Sequence, residues 1–246
     1  MIRLLTFFLL ITTALFAADE SVTIPTVNLS LSAPDTPEQL VSSLNVLLVL
    51  TLLFLAPSLV LVMTTFTRFV IVFGFLRQAL GTQQVPPTQL LILLAMILTF
   101  FVMEPIGTKA YEQGIKPYVA NEIGYEEAFT KTTLPFKNFM VRNTREKDLA
   151  LFLRIRKMQN PKTVEDVPLS VVVPAFVISE LKTAFEIGFL IFLPFLVIDM
   201  VVASILMSMG MMMLPPVMIS LPFKILVFVL IDGWNLLIGN MIAAIK

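Results

Sequence analysis

The chain contains neither cysteine nor histidine. Their absence excludes thiol nucleophiles, disulfides, imidazole bases and zinc sites built from these side chains. Any metal would have to be held by carboxylates and carbonyls. The sequence also has no nucleophile elbow, phosphate-binding glycine loop or paired-carboxylate motif. We therefore expect no catalytic residues, no metal and no cofactor, and we interpret the protein as a non-enzyme.

Charged residues are scarce, at 14% of the chain against about 25% in an average soluble domain. The 17 basic and 17 acidic residues cancel, which argues against the basic surface of a nucleic-acid-binding protein. Hydrophobic residues make up 57% of the 246 residues, and the mean hydropathy is +0.92. This composition predicts an all-α, membrane-associated protein.

The N-terminus has the pattern of a signal peptide over residues 1–18. Arg3 supplies the positive charge, a short apolar run follows, and Ala17 and Ala18 are small residues before a cleavage point. An uncleaved membrane anchor is the alternative. Residues 19–43 are rich in Pro, Ser and Thr and predict a flexible tail.

Four apolar stretches follow, at about 44–66 (continuing more weakly to 80), 88–103, 184–209 and 217–245. A helix needs about 20 residues to cross the hydrocarbon core, so the second stretch, ended early by Glu104-Pro105, is marginal.

The stretches predict two hydrophobic helical hairpins, residues 44–103 and 174–246, separated by a polar helical insert at 104–173. The connection 67–84 has two arginines and no acid, which favours the cytoplasm. With the N-terminus outside, the insert is then periplasmic.

Each hairpin contains a Pro-Pro pair, Pro86-Pro87 in the first and Pro215-Pro216 in the second. Proline fits the first helical turn, so each pair predicts a corner followed by a helix start. The similarity between the halves indicates an internal pseudo-repeat, as in many transport proteins, although chance would also explain two matches.

The insert contains one strongly amphipathic segment. Leu149, Phe152, Leu153 and Arg156 share one helical face, and Pro135 and Pro161 bracket the segment. It predicts a small surface helix that either caps the assembly or binds a partner.

Four ionisable residues lie within the apolar stretches: Glu186, Asp199, Lys224 and Asp232. A charge at bilayer depth is costly unless it is paired or hydrated, so each is a candidate functional residue. Lys224 and Asp232 are about 12 Å apart along a helix and cannot easily pair. Lys224 therefore needs another partner, such as Glu180 or Glu186, in this chain or a neighbour. We favour structural pairing between subunits over a proton relay.

Methionine is concentrated near the end of the third apolar stretch, where seven of the 14 lie between positions 200 and 218: Met200, Met207, Met209, Met211, Met212, Met213 and Met218. Flexible Met side chains can close around variable shapes. Gly210 and Pro215 place the cluster at a corner, and a ring of such corners would form a hydrophobic pore constriction. A core plug or a lipid-facing tip would show the same pattern.

Phe185, Phe189, Phe192 and Leu196 share one helical face, which indicates helix packing more than a ligand site. Trp234 fits either an interfacial anchor or a packing residue.

Several segments resemble the FliP family of flagellar biosynthetic proteins and its injectisome counterpart, the SctR family. They are Thr65–Arg68, Gly81–Pro87, Pro174–Phe189, Met209–Pro216 and Leu221–Trp234. The resemblance covers about residues 44–245. It implies a core subunit of the type III export gate in the inner membrane, within the flagellar basal body.

Five copies would assemble with FliQ- and FliR-like subunits, and with other export apparatus proteins, into a helical, cone-like channel for unfolded flagellar proteins. The hairpins would then pack largely against other subunits. The resemblance implies a gasket around the passage at Met209, Met211, Met212 and Met213. It also implies an inter-subunit charge network of Arg145, Glu180 and Lys224.

A small-solute or ion transporter is the alternative function, because pseudo-repeats and intramembrane charges are typical of that class. It would predict a small ligand near Glu186 and Asp199.

Overall fold

The computed structural model describes residues 37–245, apart from positions 83, 159, 160, 162 and 212. The predicted signal peptide, most of the predicted tail and Met212 lie outside the described residues. Within the described ranges all regular structure is helical, and no strand occurs there. The all-α prediction is therefore confirmed for this part of the chain.

The chain divides into two compact units, residues 1–50 and 51–246. Helix α1, Pro37–Val62, runs through the division and begins earlier than the predicted start at 44. Almost all of its residues from Leu44 onward are apolar or small, and the side chains described between Leu44 and Val49 are exposed.

The segment expected to be a cytoplasmic connection is instead a helix, α2, Phe66–Ala79. Its apolar residues recur at helical spacing, and Phe69, Val72, Phe73 and Leu76 are all buried. The orientation argument from Arg68 and Arg77 is weakened by this finding, because neither charge lies in a loop. Arg68 is buried, and Arg77 donates to the hydroxyl of Thr88, 2.8 Å away.

Helix α3, Thr88–Ala110, continues past Glu104-Pro105, where the sequence predicted its end. A π-helical turn, Tyr111–Ile115, and α4, Lys116–Val119, then extend it. Proline removes one backbone hydrogen bond, a cost that membrane helices commonly tolerate. The π turn inserts an extra residue into the helical ladder.

The polar insert consists of α5, Tyr125–Asn143, and α6, Glu146–Ile155. The predicted amphipathic helix is confirmed as α6: Leu153 is buried and Leu149 and Phe152 are half-buried against neighbouring apolar residues. Arg156 is exposed. Pro135 lies inside α5 instead of marking a boundary.

The second half contains α7, Leu169–Ser208, which at 40 residues begins well before the predicted start at 184. Residues 217–245 were expected to form one helix but form two, α8, Pro216–Leu230, and α9, Gly233–Ala243, bent by 63°. The break occurs at Asp232, whose φ of 52° is left-handed.

Both Pro-Pro pairs lie where helices start, as predicted: α3 begins directly after Pro87 and α8 begins at Pro216. Among the described residues, two helical segments are long and apolar enough to cross a membrane, Thr88–Val119 and Leu169–Ser208. The bent pair α8–α9 would be a third if it forms one span. Four separate spans were expected from hydropathy.

Two apolar clusters hold unit 2 together. One joins α2 to α3, α7 and the α8–α9 pair, and it includes Phe73 and Trp234, whose rings meet edge to face at 6.2 Å. Trp234 is thus a packing residue. The other cluster joins the end of α3 to α5, α6 and the start of α7, around Met140 and Phe176. Because α7 belongs to both clusters, it positions the candidate site relative to the insert.

Candidate functional site: the methionine corner and three ion pairs

The methionine corner, residues 209–215, connects α7 to α8. The N–H of Met211 donates to the carbonyl of Leu206, and the N–H of Gly210 donates to that of Met207, both at 3.0 Å. With φ of 75° at Gly210, these two bonds form a Schellman motif that ends α7. Pro215 then provides an extended N-cap for α8. The glycine and proline therefore fix where the corner lies.

The described methionines of the corner face outward. Met209 is 61% exposed, Met211 39% and Met213 98%. Three further methionines nearby are more than half exposed: Met200, Met207 and Met218. Of the four predicted gasket residues, three thus lie on an accessible apolar tip, and Met212 is outside the described residues. A core plug is excluded for the three described residues within a single chain.

Lys224 is the centre of a cluster of polar groups from three helices. Lys224 of α8 donates to Oδ2 of Asp199 on α7 at 2.6 Å and to the carbonyl of Ala79 at the end of α2 at 3.1 Å. The Ser220 hydroxyl donates to Oδ1 of Asp199 at 2.5 Å. Lys224 is buried and Asp199 half-buried. The ammonium also lies where the α2 carbonyls concentrate negative charge.

This cluster brings the two Pro-Pro turns together. Gly81, in the turn after α2, has a left-handed φ of 77°. A Cβ there would lie 3.3 Å from Val217 Cγ1 and 3.8 Å from Lys224 Nζ. The turn before α3 therefore packs on the first turns of α8.

A second ion pair is fully enclosed. Arg68 of α2 holds Glu180 of α7 in a two-pronged contact, with Nε 2.7 Å from Oε2 and Nη2 2.5 Å from Oε1. The side chains are 3% and 1% exposed. This bidentate geometry is the strongest form of such a pair, and it ties α2 to α7.

The third ion pair joins the insert to α7. Arg145, at the N-cap position of α6, donates to Oε2 of Glu186 at 2.6 Å and more loosely to Thr183. The hydrogen bond to Glu186 raises the pKa of the Arg145 guanidinium, so it stays charged at any ordinary pH. Its backbone N–H donates to the Ser179 hydroxyl at 3.0 Å, which in turn donates to Asp148 at 2.7 Å. Ser179 thus has a docking role.

In the structure, the three residues of the predicted charge network belong to three separate ion pairs. Arg145, Glu180 and Lys224 each have a partner within the same chain, namely Glu186, Arg68 and Asp199. Lys224 was expected to pair with Glu180 or Glu186, and that expectation is wrong for the single chain. Contacts between subunits stay a prediction.

The residues expected to be further buried charges differ in their surroundings. Only Asp199 is half-buried. Glu186 is exposed, and Asp232 is exposed beside the break between α8 and α9, where the side chain of Asn235 donates to it at 3.1 Å. Hydropathy assigned them to a buried environment because it counts apolar neighbours in sequence, and these two lie on outward faces.

The aromatic face of α7 is only partly packed. Phe75 of α2 meets Phe185 at 5.3 Å and Phe192 at 6.1 Å, both edge to face. Phe185 is nevertheless exposed, as are Phe189 and Leu196. Helix packing is confirmed for Phe185 and Phe192. Arg68, Asp148 and Ser220 were missed as site residues, although the helical spacing of the apolar residues of α2 was a signal that Arg68 belongs to a helix.

The described part of the chain shows no group of acidic side chains that would hold a metal ion. The described part of the chain is thus a helical protein with two helices long and apolar enough to span a membrane, held together by ion pairs between helices, with an exposed methionine corner between α7 and α8.

Comparison with known proteins identifies the family to which the chain belongs. The FliP family model matches residues 49–241, so the chain belongs to the FliP family. The flagellar biosynthetic protein FliP of Bacillus subtilis is 56% identical over 206 residues, covering 84% of this chain and 93% of the relative. That of Caulobacter vibrioides is 54% identical, covering 80% and 74%. That of Aquifex aeolicus is 49% identical, covering 82% and 86%.

Proposed function

We propose that this protein is a core subunit of the flagellar type III protein export gate. In this role it forms part of the channel through which unfolded flagellar proteins cross the inner membrane. Membership of the FliP family over residues 49–241 is the observation that carries the proposal. The relatives are named for flagellar biosynthesis and not for a reaction, in keeping with a structural role.

The apolar surface of the single chain supports assembly. Large hydrophobic side chains are exposed along α3, α7 and α8, including Phe100, Phe189 and Leu230. Contiguous apolar surface of this kind marks lipid or protein contacts. We propose that it is covered by four further copies and by FliQ- and FliR-like subunits, with lipid around the periphery and the insert in the periplasm.

The methionine corner supports a gating role. A loop whose side chains are flexible, apolar and exposed can close against its symmetry mates and still deform around a passing chain. We propose that Met209, Met211, Met212 and Met213 from each copy form this gasket.

We prefer the gate to a small-solute or ion transporter. The intramembrane charges that suggested a solute pathway, Asp199 and Glu186, are each held in an ion pair within the chain. A transported ion would have to displace those partners.

The test is genetic replacement followed by an export assay. Deleting the gene should abolish both secretion of flagellar substrates into the medium and motility, and the intact chain should restore both. Normal secretion in the deletion strain would overturn the proposal. A chain with Gly210→Leu, which cannot easily adopt the left-handed turn, should restore secretion poorly, whereas Gly124→Ala, with open space for the added methyl group, should restore it fully.

A further inference from the structure

The polar insert carries an exposed group of aromatic side chains where α4 turns into α5. The ring of Tyr125, which is 69% exposed, meets the rings of Tyr118 and Phe129, each at 6.4 Å. Exposed apolar groups of this kind mark protein contacts, and tyrosine is among the residues that contribute most to binding. We call this the tyrosine surface, and it comprises Tyr118, Tyr125 and Phe129 with the exposed carboxylates of Glu122 and Glu126.

The backbone holds the tyrosine surface in a fixed shape. The N–H of Asn121 donates to the carbonyl of Tyr118 at 3.0 Å, and that of Glu122 donates to the carbonyl of Pro117 at 2.9 Å. With φ of 57° at Asn121, these bonds form a Schellman motif that ends α4. A Cβ at Gly114 would lie 2.7 Å from a backbone nitrogen of α5, so the two sides of the turn are in close contact. The rings therefore need little further ordering when a partner binds.

The outward face of α6 is a second exposed surface with the opposite charge. Lys147, Leu151, Arg154 and Ile155 recur at the spacing of one helical face, and all four are exposed. Ile155 is 65% exposed, whereas Leu153 on the inner face is buried. We call these four residues the outer surface of α6. It has the composition of a contact surface, with apolar side chains between basic ones.

The two surfaces lie in parts of the insert whose net charges have opposite signs. Residues 111–131 contain four acidic residues and two lysines, a net charge of −2. Residues 147–157 contain four basic residues and one aspartate, a net charge of +3. Along the chain, α5, with 19 residues and a length of about 28 Å, separates the two surfaces. One chain thus presents two different surfaces, each with an apolar centre and complementary charge.

We propose that the tyrosine surface of one copy packs against the outer surface of α6 in the next copy. This inference rests on the proposed function, because it requires several copies in one assembly. Two tyrosine surfaces facing each other would bring carboxylates together, whereas the head-to-tail contact brings carboxylates to Lys147 and Arg154. A contact between two different surfaces adds copies in one direction and closes into a ring when the rotation permits.

The first experiment uses the absence of cysteine from the native chain. Cells express two forms of the full-length protein together, one with Tyr125→Cys and the other with Ile155→Cys, and the detergent-extracted assembly is treated with a mild oxidant. The two cysteines are in different chains, so a disulfide between them can form only between copies. The matched control replaces Tyr125→Cys by Thr130→Cys, an exposed position on another face of α5.

A denaturing gel should show a covalent dimer when the Tyr125→Cys and Ile155→Cys forms are combined. Either form alone, or the Thr130→Cys control, should give roughly ten-fold less dimer, because a disulfide requires Cα atoms within about 7 Å. Equal dimer formation by Tyr125→Cys alone would indicate that two tyrosine surfaces face each other and would overturn the proposal. Assemblies of several copies without the mixed dimer would overturn it too.

The second experiment reverses the charges. Glu122→Lys/Glu126→Lys should lower the oligomeric fraction in native mass spectrometry roughly ten-fold, because like charges then meet across the contact. Lys147→Glu/Arg154→Glu should do the same. The chain that carries all four changes should recover most of the oligomer, since the attraction is restored with exchanged signs. The control, Glu165→Lys/Asp166→Lys, reverses two exposed charges outside both surfaces and should assemble normally.

Recovery in the four-fold variant separates a lost contact from a folding defect, because a chain that fails to fold is not restored by further substitutions on another helix. Normal assembly of both double variants, or no recovery in the four-fold variant, would overturn the head-to-tail contact. If the native chain still assembles and supports secretion in that case, the proposed export function stands without it. A native chain that never assembles with other copies would contradict both.

Discussion

Arg68 on α2 and Glu180 on α7 form a bidentate ion pair sealed inside the chain, 112 positions apart in sequence, with Nε 2.7 Å from Oε2. Both charges are almost completely removed from water. Such a pair adds less net stability than its geometry suggests, because the desolvation of both ions opposes their attraction. Removing only one partner, however, leaves a buried charge without compensation.

Glu180→Ala should therefore lower the free energy of unfolding by about 3–5 kcal/mol, because it strands the guanidinium of Arg68. Thermal or denaturant unfolding followed by circular dichroism measures this loss. Arg68→Ala/Glu180→Ala should lose less than the sum of the single changes. The exposed pair Lys131–Glu127 is the control, and its removal should cost about 1 kcal/mol or less. Additive losses at Arg68 and Glu180 would refute the coupling.

Lys224→Ala should destabilise the isolated chain by several kcal/mol, roughly the cost of breaking a buried ion pair, since Asp199 loses its cation and Ala79 loses a donor. The measurement is unfolding of monomeric protein in detergent, followed by native mass spectrometry of the assembly. A variant that unfolds normally as a monomer but fails to oligomerise would show that Lys224 acts between subunits instead.

Gly114→Ala should displace α5 from the π turn and lower the thermal midpoint, because the added methyl group meets backbone atoms of Ala128 and Thr132. We expect a loss of about 1–3 kcal/mol, the usual cost of overpacking. Gly107→Ala is the matched control: nothing lies within 4 Å of its Cβ position, and alanine favours the helix. Unaltered stability of Gly114→Ala would contradict the close approach.

Replacing Met211, Met212 and Met213 by glycine should allow small ions to leak through the assembled channel, because the apolar constriction is lost. Conductance of reconstituted complexes measures this. The control is Met158→Gly, which lies in the insert away from the corner and should leave the conductance of the channel unchanged. Assembly should be intact in both variants, since the helix ends are fixed by Gly210 and Pro215.

The sequence was most informative where one local rule determines the outcome. The two Pro-Pro helix starts, the amphipathic face of α6 and the corner at Gly210 all follow from the preferences of a few neighbouring residues. The resemblance of motifs at Pro174–Phe189 and Met209–Pro216 identified the family.

Other features depend on contacts that no local rule describes. Helix α2 was missed because its two arginines were counted as loop charges, although one of them is neutralised by Glu180 from a distant helix. The break at Asp232 lies within a stretch that was assigned to a single helix because most of its residues are apolar, although Asp232 itself is charged. Asp199 was not identified as the partner of Lys224 within the chain, because spacing relates residues within one helix and says nothing about which helices meet.

The central claim, that the methionine corner lines the passage for exported protein, is tested most directly by photo-cross-linking in the living bacterium. A light-activated amino acid replaces Met213, and a flagellar substrate fused to a tightly folded domain is stalled in the gate. The account predicts a cross-link from position 213 to the substrate and none from the exposed position 155 in the insert. Absence of the substrate cross-link at 213 in assembled, export-competent gates would contradict it.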